Sequence, residues 1–418
     1  MMLSSYDREL LDGRAGEAAS FALRVILRLA EALEATELVS VEQAHIDACA
    51  LMSASSVEFA EYLADRDGRV CVPTTTSMIG LDLDHWTAQG IPAEHASTGL
   101  RVADAYLRLG CIPTWTCAPY DGYLTPRFGQ RIAWGESNAV VFANSLLGAR
   151  TNRTADFLDI CAAITGRVPK TGLYCSDNRR GRVLVDLREV SEVLSTAPSA
   201  WAALGHWIGS HVVSGVPVLD GAPPRVSRRA WKALCAAVAS AGGIEMFHAV
   251  GHTPEAPTCE AAFAGHAPVD TLRVRPVDLE NGWNDLHRAP EETPLDAVLF
   301  GCPHFGYADF EMLARRIDRL GARKAAGVDV VICTSATQRL LADRGGWLEP
   351  IERFGARIAL DTCPFHAPLF PEARVLMTPS GKCAYYAYGE LGVQVAFGTL
   401  AQCVDSAVAG RVKGGVPW

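Results

Sequence analysis

Ala297-Val-Leu-Phe-Gly-Cys302-Pro-His304, Val328-Asp-Val-Val-Ile-Cys333 and Arg357-Ile-Ala-Leu-Asp-Thr-Cys363 share one pattern: a short apolar run, then a cysteine. Runs of four or five such residues are too short for helices and read as buried strands. Two more, 373–377 and 393–397, continue the series. The segments 307–320, 335–344, 347–354, 380–388 and 399–410 between and after them carry helical spacing. Apolar strands alternating with helices predict a parallel sheet with covering helices, hence an α/β fold. Cys302, Cys333 and Cys363 then stand just past the carboxyl ends of their strands, the edge where open α/β sheets bind ligands.

Upstream, a helix at 227–241 leads to a strand at 244–250 and a loop-rich stretch, 251–294. The Pro/Gly-rich segment 220–226 divides the chain into an N-terminal helical and α/β part, 1–222, and a C-terminal α/β domain, 223–418. In the first part, helical spacing runs through Leu10, Ala19, Leu23 and Ile26, and again through Ala44, Ile46, Cys49 and Leu51. Ser40 with Gln43 resembles a capping box. A strand at Arg69–Val72 is expected to end in a hydroxyl-bearing loop of Thr74, Thr75, Thr76 and Ser77. Helices are expected at 97–109, 137–149, 154–165 and 198–211, and strands at 182–187 and 216–219.

The whole chain has 418 residues, 49% hydrophobic and 20% charged, which excludes a disordered or fibrous protein. With 38 Lys and Arg against 47 Asp and Glu, the net charge is −9. An acidic chain without a basic run disfavours nucleic acid and anionic membrane as partners. No apolar stretch reaches membrane-spanning length, and residues 1–32 lack the pattern of a signal peptide. The expected compartment is the cytoplasm, where disulfides are rare, and thirteen cysteines is an odd count.

Buried packing accounts for most of these thiols. For the three strand-end cysteines, two readings stand: inert caps of apolar strands, or ligands of a thiolate-bound cluster. Zinc normally uses closely spaced CxxC pairs, and none is present. An iron–sulfur cluster held by three separated cysteines leaves one iron open as a Lewis acid. The polar run Trp134–Arg153 (WGESNAVVFANSLLGARTNR) is the second candidate. Ser137 and Asn138 begin a helix, where free N–H groups favour a carboxylate, and Arg150, Thr151, Asn152 and Arg153 gather at its far end. Ser380-Gly-Lys382 opens another helix. Without the preceding GxxxxG it is no nucleotide loop, and its lysine suits a carboxylate.

The run Trp134–Arg153, together with Thr116-Cys-Ala-Pro-Tyr120, Gly301-Cys-Pro-His304, Asp361-Thr-Cys-Pro364, Ser380-Gly-Lys-Cys-Ala-Tyr-Tyr386 and the closing segment Phe397–Gly410, resembles the large part of the aconitase X family. The likeness spans nearly the whole chain. It implies an aconitase-like, multi-domain fold of parallel or mixed sheets covered by helices, without the swivel domain. The activity implied is that of a hydro-lyase with an iron–sulfur cluster of undetermined nuclearity, held by Cys117, Cys302 and Cys363, with Cys333 and Cys403 in reserve. The substrate implied first is cis-3-hydroxy-L-proline, dehydrated to 1-pyrroline-2-carboxylate, with mevalonate 5-phosphate as the alternative. A separate small swivel-domain subunit with a catalytic serine is the implied partner, since the chain stops at Trp418 without such a module. Within this chain, Lys382 and Ser137 are the catalytic candidates. Thr74, Thr75, Thr76, Asn138, Arg150, Thr151, Asn152 and Ser380 are the candidates for substrate contact. A non-catalytic cluster or thiol scaffold and a zinc hydrolase are the readings from other classes.

Overall fold

The computed structural model describes residues 1–50 and 52–418. In chain order its strands are β1 (Leu38–Ser40), β2 (Ala44–Ile46), β3 (Thr74–Thr76), β4 (Ala133–Trp134), β5 (Arg167–Pro169), β6 (Gly181–Asp186), β7 (Val216–Asp220), β8 (His248–Ala249), β9 (Asp270–Arg273), β10 (Ala297–Phe300), β11 (Asp329–Thr334), β12 (Arg357–Leu360), β13 (Val375–Thr378) and β14 (Gln394–Phe397). The last five form one sheet in the order β12-β11-β10-β13-β14, and every neighbouring pair is parallel. β10 lies at its centre, with all four residues buried. Each large apolar side chain buried there contributes roughly 1.5–3 kcal/mol. Helices Tyr307–Leu320, Leu348–Phe354 and Leu400–Ala409 supply apolar side chains to one core beside this sheet.

The strand order places the site. From β10 the chain winds outward to β12, then returns to the other side of β10 for β13 and β14. Connections leaving in opposite directions open a crevice at the carboxyl ends of β10 and β13. A second parallel sheet, β3-β2-β4, repeats the device, with β3 on one side of β2 and β4 on the other. Its crevice lies at the ends of β2 and β4. A third sheet, β8-β7-β6-β9, is also parallel, while β1 and β5 form an antiparallel pair. Helix Arg228–Gly242 packs against Ala200–His211, Ser137–Ser145 and Gly381–Glu390, bracing the two helices that begin at the crevices.

Several expectations for the N-terminal part are corrected. Ala44–Ile46 is a strand, not a helix: two apolar residues at spacing two fit either period, and pairing with β3 and β4 decides. Leu51, the last residue of that supposed helix, lies outside the described residues. Ser40 ends β1 and caps no helix. The strand expected at Arg69–Val72 forms instead at Thr74–Thr76, which is therefore not a loop. The stretch 251–294 holds β9 and the helix Pro276–Leu286, whose start is marked by proline at its first position. Segment 220–226 joins β7 to helix Arg228–Gly242. No helix among the described residues is long and apolar enough to cross a membrane.

Candidate active site

A cavity of about 240 Å³ lies where residues following strands of the two sheets meet. Asp47, just past β2, and Glu136, just past β4, enter from one sheet. Cys363, beyond β12, and Lys382, beyond β13, enter from the other. Ser137 completes the centre, and Met78, Ala50 and Phe365 give an apolar wall.

Glu136 precedes helix Ser137–Ser145, whose N-terminus favours a negative charge. Its Oε1 receives Lys382 Nζ at 2.6 Å, Asn138 Nδ2 at 2.8 Å and Ser137 Oγ at 3.2 Å. Burial alone would raise this carboxyl, but the Lys382 ammonium and the Asn138 donors hold it at about 2. Burial pulls Lys382 down, yet the charge of Glu136 and then those of the neighbouring thiols leave it raised. The pair is ionised at neutral pH. Lys382 Nζ also stands 3.3 Å from Ser137 Oγ, so ammonium and hydroxyl point into the cavity together.

All thirteen cysteines are free thiols. Cys117, Cys302 and Cys363 are buried and close enough for the charge of Cys302 to raise the other two. Cys363 reaches about 12, chiefly through burial. The backbone N–H of His304 donates to Cys117 Sγ at 3.2 Å, the kind of contact that steadies a thiolate ligand. Lys232 holds this loop by donating to the His304 carbonyl at 2.6 Å and to Asp121 at 2.9 Å. Asn138 donates to the Cys117 carbonyl at 3.0 Å, tying the Cys117 loop to Glu136. Among the described residues no three His, Cys, Asp or Glu side chains close around a single metal ion. Buried thiols on three separate loops are the donor chemistry that an iron–sulfur cluster takes.

Gly301 sets the approach of Cys302. Its φ is +90°, and a Cβ there would lie 1.9 Å from the Cys333 carbonyl oxygen. Gly301→Ala is therefore expected to cost more than the 1–3 kcal/mol of ordinary overpacking and to move the Cys302 loop. Denaturant unfolding beside the wild type checks the first effect, and metal content of the folded fraction checks the second.

The other expected site residues fall elsewhere. Thr74, Thr75 and Thr76 are buried in β3 with their hydroxyls engaged: Thr74 with the Val72 carbonyl, Thr75 with His45 Nδ1, Thr76 with the Ile112 carbonyl. None lines the cavity. Arg150 donates to the Tyr174 carbonyl and Ser176, Thr151 Oγ1 accepts from the Trp134 N–H, and Asn152 bonds Thr171 and Leu173. These three shape the support beneath the helix. Ser380 caps helix Gly381–Glu390 and donates to the Cys302 carbonyl, bridging the ends of β10 and β13. Cys333 sits within β11, not past its end, and Cys403 lies in a helix, buried in a different apolar cluster from Cys117, Cys302 and Cys363. The cavity also contains Arg153, Asp156, His366, Tyr386 and Glu390. Asp47 and Glu136 went unread in the sequence, although Glu136 lies inside the polar run.

Three family models match in series: aconitase X first domain over residues 1–177, second domain over 181–284 and third domain over 295–409. The chain is 42% identical to a cis-3-hydroxy-L-proline dehydratase of Pseudomonas aeruginosa, over 99% of this chain and 71% of that protein. It is 40% identical to a protein of the same name from Hypocrea jecorina, over 98% and 69%. A phosphomevalonate dehydratase large subunit of Methanocaldococcus jannaschii is 29% identical over 96% and 99%. The crystal structure of Thermococcus kodakaraensis aconitase X in its holo-form superposes with a TM-score of 0.86 at 28% identity, covering 97% of this chain and 100% of that one.

Proposed function

The chain belongs to the aconitase X family of dehydratases, and from that premise we propose that it removes water from cis-3-hydroxy-L-proline. The observation that carries this reading is the buried Glu136–Lys382–Ser137 group set in one cavity with Cys363. Cys117, Cys302 and Cys363 would hold an iron–sulfur cluster. Bound there, such a cluster supplies an open Lewis-acid position for an oxygen leaving group.

The chain's own residues do the remaining work. Lys382 and Ser137 present an ammonium and a hydroxyl to the substrate carboxylate and to negative charge growing beside it. Glu136 keeps that ammonium protonated and fixed. The apolar wall of Met78 and Phe365 restricts water around the ring. Loss of the C2 proton and of the C3 hydroxyl leaves a C2=C3 enamine, which tautomerises to 1-pyrroline-2-carboxylate. We place the base that takes the C2 proton on a small partner subunit with a swivelling domain and a reactive serine. The archaeal relatives, named as large subunits, support a two-chain organisation. An assay of the chain with that partner under anaerobic conditions tests the reading. Turnover of cis-3-hydroxy-L-proline is expected, and turnover of mevalonate 5-phosphate alone would replace it with the alternative.

A further inference from the structure

Asp47 has no role in the chemistry above, yet it lines the cavity with a carboxyl whose hydrogen-bonding capacity is not met by the protein. Its backbone N–H donates to Asp159 Oδ2 at 2.5 Å. Its own Oδ1 is buried and, among the described residues, receives no donor. An unsatisfied buried acceptor of this kind is costly and calls for a partner. The nearest charged groups do not supply one: Glu136, Asp156 and Asp159 are acids, Lys382 is committed to Glu136, and Arg153 stands at the exposed side of the cavity. Burial and then these three carboxylates push the Asp47 carboxyl well above its ordinary range. Gly135 makes the placement possible, since a Cβ there would stand 2.8 Å from Asp47 Cβ.

An acceptor in this setting selects a ligand that brings both a positive charge and N–H donors. We propose that Asp47 is the cation-binding residue of the cavity, receiving the ring ammonium of a cyclic amino acid while Lys382 and Ser137 face its carboxylate. This rests on the reading of the cavity as the dehydratase site and adds the element that selects within it. Asp156, at the more exposed side, strengthens the same field. A phosphorylated hydroxy acid brings a dianion and no ammonium, so it offers Asp47 neither the positive charge nor the N–H donors.

The test compares two unreactive ligands on the holoenzyme with its partner subunit: L-proline, with a ring ammonium, and tetrahydrofuran-2-carboxylate, with ring oxygen in its place. Affinities come from competitive inhibition and from calorimetry. The wild type is expected to bind L-proline at least about tenfold more tightly. Asp47→Asn is expected to bring the ratio near one by weakening L-proline and leaving the ring-oxygen ligand within about twofold. Its KM for cis-3-hydroxy-L-proline rises more than its kcat falls. The wild-type ratio needs no variant to fold, and the melting temperature of Asp47→Asn is measured alongside it. Turnover of cis-3-hydroxy-L-proline with an unchanged ligand ratio in Asp47→Asn, or no discrimination by the wild type, overturns the assignment and leaves the dehydratase reading intact. Absence of both turnover and binding overturns both.

Discussion

Lys382→Met is expected to lower both stability and activity by large amounts. The substitution keeps an apolar chain of similar length and removes the one ammonium beside Glu136, from which it stands 2.6 Å. Breaking a buried pair from one side typically costs about 3–5 kcal/mol, because the remaining charge has no partner. Loss of a preorganised cation from a site of developing negative charge is expected to reduce kcat by about 10²–10³-fold. The double variant Glu136→Gln, Lys382→Met separates the two effects: it regains most of the stability and none of the activity. Acid adds a third readout. Glu136 titrates near 2 in the folded state, below its unfolded value of about 4.3, so its contribution is present above pH 4.3 and lost as pH falls through 2. Lys382→Met removes the charge that holds Glu136 down, and burial then raises the carboxyl. Denaturant midpoints between pH 5 and 2 should therefore fall steeply for the wild type and much less for the variant.

Cys117→Ser, Cys302→Ser and Cys363→Ser are each expected to lose bound iron and sulfide after anaerobic purification, with turnover reduced beyond detection. A hydroxyl is a far weaker ligand for iron than a thiolate, so one substitution breaks a three-point attachment. Cys403→Ala is the contrast. That thiol is buried against the helices of another core, and its removal should cost stability while iron content stays at the wild-type level. Iron, sulfide and visible absorption measured on these four proteins and on Cys333→Ala check this set. Loss of iron in Cys333→Ala with retention in Cys117→Ser would move the third ligand into β11.

The five-stranded sheet was legible because each strand is a continuous apolar run bounded by good helices, a local signal that tertiary context does not contradict. The placement of Cys302 and Cys363 followed from it. The small sheet was not legible. β2, β3 and β4 have only two or three residues each, too few for a period to register, and Thr74–Thr76 in isolation fits a turn as well as a strand. Asp47 and Glu136 were missed for the same reason, because their importance comes from following strands that the sequence hides. Lys382 and Ser137 were found through helix starts. The threonines, Arg150 and Asn152 were polar residues in a suggestive neighbourhood whose groups turn out to be used by the backbone.

Glu136 and Lys382 are 246 residues apart along the chain. At a synthesis rate of about 5–20 residues per second, the carboxylate is made about 12–50 s before its lysine. Throughout that interval Glu136 has only the uncharged donors of Ser137 and Asn138 against it, which leaves its desolvation uncompensated. Synthesis of the helix Gly381–Glu390 supplies the counter-charge. The order of translation thus puts this ion pair among the contacts that form late: it cannot form before residue 382 has been made.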